Sequence, residues 1–154
     1  MLFSAAITLL YLERSGPDVL PRSAEGGIVK VGDADFNEAV EAVLAILHEV
    51  ATHQEDDPAG TITYKRLSER LRMDYGIDVP YHSGPLPYIL GEASKREHND
   101  GRGMISALVV EQDTGMPSSG FFHISRQVPF NRRGDDVGLW LIESRRVRRE
   151  HNVI

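Results

Sequence analysis

The chain has no cysteine among its 154 residues. That excludes disulfides, thiolate nucleophiles and zinc sites built on cysteine. Long apolar runs are missing as well. The longest near the start is "AAITLLYL", residues 5–12, which is too short to span a membrane. No basic segment precedes it, so it does not read as a signal peptide, and a buried strand or short helix is expected there. These absences lead to the expectation of a cytoplasmic protein without a membrane partner.

Catalytic signatures are also lacking. There is no G-x-S-x-G elbow, no phosphate loop and no dinucleotide fingerprint. The G-x-G at 101–103 reads as a helix cap followed by the start of a strand. The six histidines stand at 48, 53, 82, 98, 123 and 151, and no pair has the H-x-x-x-H spacing of a helical zinc site. His48 and His53 are five apart and do not stack on one helical face. No metal and no cofactor are therefore expected.

What is present describes an ordinary globular domain. The chain is 41% hydrophobic and 26% charged, usual values for a protein of one domain with a core of its own. The net charge of −6 is unevenly spread. Residues 1–57 hold 11 acidic and 3 basic residues, and residues 58–154 hold 12 acidic and 14 basic. Arginines gather late, at 126, 132, 133, 145, 146, 148 and 149. One face of the C-terminal part can meet a polyanion, whereas the N-terminal part would repel one.

Ser15 to Gly32, rich in Gly, Pro and Ser, reads as a loop or loose arm. A helix is expected from Asp35 to Thr52, because Phe36, Val40, Val43, Leu44, Leu47 and Val50 make one stripe. Asp35 and Glu38 resemble a capping box, and Glu38, Glu41 and Glu49 read as a solvated face. After the polar connection "HQEDDPAG" at 53–60, Thr63 caps a short helix reaching about Arg72, with Ile62 and Leu67 as a hydrophobic staple. Residues 74–84 form a loop. Two prolines open a helix from Pro85 to His98, and Gly101 closes it in the left-handed conformation. Met104–Val110 and Gly120–Ile124 read as paired strands around a connection of about nine residues. A last helix runs from Asp136 to Arg149, with Val137, Trp140, Leu141, Ser144 and Val147 inward.

Three helices followed by a hairpin predict an α+β fold: a winged-helix-like three-helix core, a β-hairpin wing and a C-terminal helix. The expected organisation is an arm at 1–33 and a single domain at 34–154.

Few residues suggest chemistry. Asp100, Glu111 and Asp113 flank the expected strand and could hold magnesium in a small nuclease. Asp113 before Thr-Gly is equally ordinary turn chemistry. Ser106, Ser118 and Ser119 are nucleophiles only with a base beside them. Arg145, Arg146, Arg148 and Arg149 read either as cations complementing a helix C-terminus or as a phosphate-contact patch.

"GTITYKRLSERL", residues 60–71, resembles the segment that opens the DNA-binding domain of the O6-alkylguanine-DNA alkyltransferases and alkyltransferase-like proteins. "YILGEA" at 88–93 is similar to their recognition-helix stretch, and "ISALVV" at 105–110 falls where that family carries its reactive cysteine. "DTGMPSSGFF" falls where it has a glycine-rich wing over the lesion pocket. The resemblance implies a tyrosine, Tyr64, that helps turn a nucleotide out of the stack, and Tyr88 in place of the arginine that fills the gap. It places Ser106 at the cysteine, Ala107 at the histidine and Leu108 at the arginine. A serine without its base does not take an alkyl group. What the resemblance leaves is the scaffold, with nucleotide flipping into a pocket. Residues 90–122 are also similar to a group of uncharacterised bacterial and phage proteins, which implies a mobile-element or defence setting and no activity.

The leading expectation is a non-catalytic protein that binds duplex DNA, or an accessory protein of bacterial or phage origin. Tyr64, Lys65, Tyr88, Lys95, Arg96 and Arg102 would line the nucleic-acid side, with Arg145, Arg146, Arg148 and Arg149 on phosphates. Ser106, Asp113, Gly115, Pro117 and Gly120 would form the pocket or wing. Two alternatives stand beside it: a protein-interaction module using the acidic helix 35–52, and the magnesium-dependent nuclease.

Overall fold

The computed structural model describes residues 34–52, 60–81 and 84–152. The expected arm at 1–33, most of the 53–60 connection, His53 and His82 lie outside the described residues.

Among the described residues, five helices and one two-stranded parallel sheet make an α+β structure that is mostly helical. Helix α1 spans Ala34–Thr52. Its stripe is buried as the spacing predicts, with Val40, Val43 and Leu47 fully covered. Two details differ. Asp35 lies inside the first turn, where its charge meets the positive end of the helix dipole. Glu38 is 2% exposed and belongs to the interior, so the acidic face is shorter than its pattern suggests. An acidic docking helix would lose one of its three glutamates.

Strand β1 (Ile62–Thr63) leads directly into α2 (Tyr64–Tyr75). The Thr63 hydroxyl accepts from the Arg66 amide at 3.1 Å, the expected cap. Gly76 ends α2 with φ 67°. Ser68 of α2 donates to the carbonyl of Val79, pinning the following loop. Helix α3 (Leu86–Asn99) begins at its prolines, and Gly101 leaves it with φ 81°, as expected.

The expected hairpin does not form. Residues 105–108 make a 3-10 helix (Ile105–Leu108), and only Val109–Val110 form a strand, β2. β2 pairs in parallel with β1, Ile62 opposite Val109 and Thr63 opposite Val110. Residues 103–110 are buried without alternation, which an edge hairpin with one wet face cannot be. Side chains take the amides a ladder would use: Gly103 donates to Glu150 at 2.8 Å, Met104 to Glu143 at 2.9 Å and Ser106 to Ser94 Oγ at 3.0 Å.

The expected partner strand is helix α4 (Ser119–Ser125). Phe121, Phe122 and Ser125 are buried while His123 is exposed, a helical and not an alternating pattern. Phe121 and Phe122 join Met104, Phe130 and Leu139 in a second apolar cluster beside the main core.

Helix α5 spans Asp136–His151, capped by Asp135, whose carboxylate accepts from Gly138 at 2.7 Å. Its buried residues are Leu139, Glu143, Ser144 and Val147. Val137, expected inward, is exposed. Glu143 is buried instead. Arg132 grips it with two bonds of 2.9 Å while it accepts the Met104 amide, and this pairing turns a charged residue inward. α1 packs against α2, α3, α5 and the 3-10 segment, so it is the central element. No described helix is long and apolar enough to cross a membrane.

Candidate functional site

A cavity of about 650 Å³ opens between the start of α2, the N-terminal half of α3, the loop 111–118 and α4. Leu86, Leu90, Val110, Phe121 and Ile124 give it an apolar wall. Thr63, Lys65, Glu111, Gln112, Asp113 and Thr114 give it a polar rim. α3 and α4 approach closely beside it: a Cβ on Gly91 would stand 3.4 Å from the Ile124 side chain.

The loop that walls the cleft is tied down. The Glu111 amide donates to the Met116 carbonyl at 2.8 Å, and Gly115 donates back to Glu111 at 2.9 Å. Gly115 has φ 68°, which this turn needs and which an L side chain resists. Pro117 is buried beneath it. Gly120 is different: an added Cβ would meet only Ser118 Oγ, at an ordinary 3.6 Å. No close approach requires glycine there.

Tyr64 fastens the loop to α2. Its hydroxyl accepts from the Ser118 amide at 3.0 Å and donates to Ser118 Oγ at 3.1 Å. Burial pushes the phenol up. The Ser118 bonds pull it down, the Glu111 charge adds to the rise, and the net direction is upward. The group stays a neutral clamp.

Ser106 sits at the inner wall with its Oγ 2.7 Å from Ser94 Oγ. Among the described residues, the charged ones lining the cleft are Lys65, Glu111 and Asp113, and none is a histidine. The described partner of the Ser106 hydroxyl is the Ser94 hydroxyl, and the arrangement suits binding of a flat, partly apolar ligand whose N–H groups reach the acceptor-rich rim.

The residues expected on the nucleic-acid side are split. Tyr64 and Lys65 line the cleft, and Tyr88 stands beside lining residue Pro87 with 63% of its surface exposed. Lys95 is exposed further along α3. Arg96 is held by Glu92 at 3.1 Å and Asn37 at 3.0 Å. Arg102 faces Glu97 and Asp100 at the far end of α3, roughly 20 Å along a helix of this length. On α5, Arg146 bonds Glu150 and the Gly101 carbonyl. Arg148 is half-buried, and Arg145 and Arg149 are exposed. The nuclease set does not assemble either: Glu111 and Asp113 share the rim, but Asp100 lies at the other end of α3 beside Arg102.

Among the described residues the structure assembles a different cluster. His48 Nε2 lies 3.0 Å from Glu97 Oε1, and His151 Nε2 lies 3.4 Å from the same oxygen. Burial pushes the Glu97 carboxyl up. The hydrogen bonds from His151 and His48, with the charges of His48 and Arg102, outweigh it and bring the carboxyl down to about 2. No local spacing announces this cluster, because its members come from α3 and from the ends of α1 and α5. Comparison with known proteins finds no family model, no curated protein and no solved structure that matches the chain.

Proposed function

We propose that this protein is a non-catalytic, cytoplasmic nucleic-acid-binding domain that holds one unstacked base in the cleft. In this reading α1–α3 are the three-helix core of a winged-helix scaffold of the alkyltransferase-like kind. The tied loop 111–118 and α4 take the place of the wing.

The supporting observation is the cleft itself, opening beside an exposed aromatic on the first turns of α3. Its volume of about 650 Å³ lies within the range of small-ligand pockets. Unstacking a base costs a few kcal/mol, and a ring such as Tyr88 that fills the gap offsets part of it through stacking of about 1–3 kcal/mol. Lys65 and Lys95 are exposed and carry no ion pair among the described residues, which leaves them for phosphates. Glu111 and Asp113 repel phosphate but accept hydrogen bonds from exocyclic amino groups, so the rim favours the base and not the backbone. Arg96, Arg102 and Arg146 serve the fold.

The test uses duplex DNA carrying a fluorescent adenine analogue in a mismatch. Binding should weaken steeply with salt and raise the analogue's fluorescence. Tyr88→Ala should lose about tenfold in affinity together with the fluorescence change. Absence of binding at low salt to single- or double-stranded DNA or RNA overturns the reading.

A further inference from the structure

We propose that His48, Glu97 and His151 form a binding site for one zinc-class divalent metal ion, which ties α5 to α1 and α3. The site is remote from the cleft and independent of what the cleft binds.

The distances carry the argument. Tetrahedral zinc with bonds of about 2.0–2.1 Å needs ligand atoms roughly 3.3–3.4 Å apart. Glu97 Oε1 lies 3.0 Å from His48 Nε2 and 3.4 Å from His151 Nε2, and all three atoms fall within 4.8 Å of one another. The two imidazoles stand side by side, ring centroids 4.6 Å apart at 37°. Small side-chain movements bring all three onto one ion. Two imidazoles and a carboxylate are a donor set zinc accepts, with water in the fourth position.

Burial fits as well. The Glu97 and His151 side chains are 4% and 9% exposed, while His48 is 31% exposed and leaves a route for the ion and for its water.

Arg102 supplies an independent observation. Its Nε is buried 3.7 Å from Glu97 Oε1 and has no hydrogen-bond partner, and its Nη2 is 3.5 Å from Asp100. The guanidinium neutralises the carboxylate without completing a bond to it. A side chain 40% exposed can swing outward when an ion takes its place, which relieves an unsatisfied buried donor.

The experiment titrates the chelator-treated full chain with zinc chloride by calorimetry and repeats it with cobalt, whose visible bands report tetrahedral coordination. One ion per chain should bind and raise the melting temperature. His48→Ala and His151→Ala should each weaken binding by at least about tenfold. The exposed control His123→Ala should leave it unchanged. Arg102→Gln should tighten it by removing a competing cation, whereas an Arg102 serving only an ion pair would yield no tightening. Circular dichroism of the metal-free variants reports folding. If His151→Ala unfolds, His48→Ala and Arg102→Gln decide the question. Absence of saturable binding, or binding indifferent to His48→Ala, overturns the proposal.

Discussion

Residues 103–110 meet opposite chemistry on their two sides. Towards α5 they are held by carboxylates and an indole: Glu150 takes the Gly103 amide, Glu143 the Met104 amide, and Trp140 donates to the Ala107 carbonyl at 2.9 Å. Towards the cleft, the same stretch offers the Ser106 hydroxyl, met by Ser94, and the apolar side chain of Val110. The α5 seam uses strong charge-assisted bonds in a dry setting. The cleft uses neutral hydroxyl pairs and keeps its charges at the exposed rim. Buried charges are stable only when paired, and the seam carboxylates already hold their partners. At the cleft the polar groups of the rim stand where water reaches, and that is where a ligand can compete for them.

Breaking the seam should have the largest effect. Glu143→Ala leaves Arg132 and the Met104 amide without their partner and should cost about 3–5 kcal/mol in urea unfolding. A loss below about 1 kcal/mol would mean that solvent replaces the carboxylate and the seam is not dry.

Acid should come next. The Glu97 carboxyl is depressed to about 2 in the folded chain from an ordinary 4.5. Its contribution is present above the unfolded value and is lost as pH falls through the folded one. Metal-free protein should therefore lose stability between about pH 5 and pH 2, and Glu97→Gln should flatten that fall. Chemical denaturation across this range checks it, and an unchanged slope in Glu97→Gln counts against the cluster.

The cleft side should respond less. Tyr64→Phe removes the hydroxyl that bonds Ser118 twice and should cost about 1–3 kcal/mol. Amide exchange at Ser118 should speed up selectively while the α5 seam stays protected. Ser106→Ala should be the mildest, about 0.5–1.5 kcal/mol, because Ser94 keeps the Ser106 amide as a partner. Nucleic-acid binding that survives Ser106→Ala supports a wall, not a nucleophile.

Much of the helical frame was legible along the chain. Thr63 capped α2, the prolines opened α3, and Gly101 closed it where their local chemistry indicates. Those features depend on neighbours within one turn. The hairpin was not legible, because "ISALVV" and "GFFHI" carry strand-forming residues yet are covered from several sides. Continuous burial removes the alternation that distinguishes strand from helix. Glu38 was read as part of a solvated face and is buried, and the burial of Glu143 rests on partners distant in sequence. Tyr64 and Lys65, singled out as nucleic-acid contacts, and Ser106, Asp113 and Gly120, singled out as pocket or wing, line the cleft, whereas Tyr64's bond to Ser118 and the Ser94–Ser106 pair have no signal along the chain.

The amino-acid sequence alone determined the class of protein. The lack of cysteine removed thiolate and disulfide chemistry, and the periodicity and turn residues set the helices and most of their ends. Tertiary structure decided what those elements do together. It folded 111–118 into a wall where a wing was expected, and it divided the basic residues between the cleft and the frame. It also brought His48, Glu97 and His151 from three helices onto one oxygen. Such contacts depend on how helix faces meet, and the spacing of residues along one helix does not encode which distant side chain will face it.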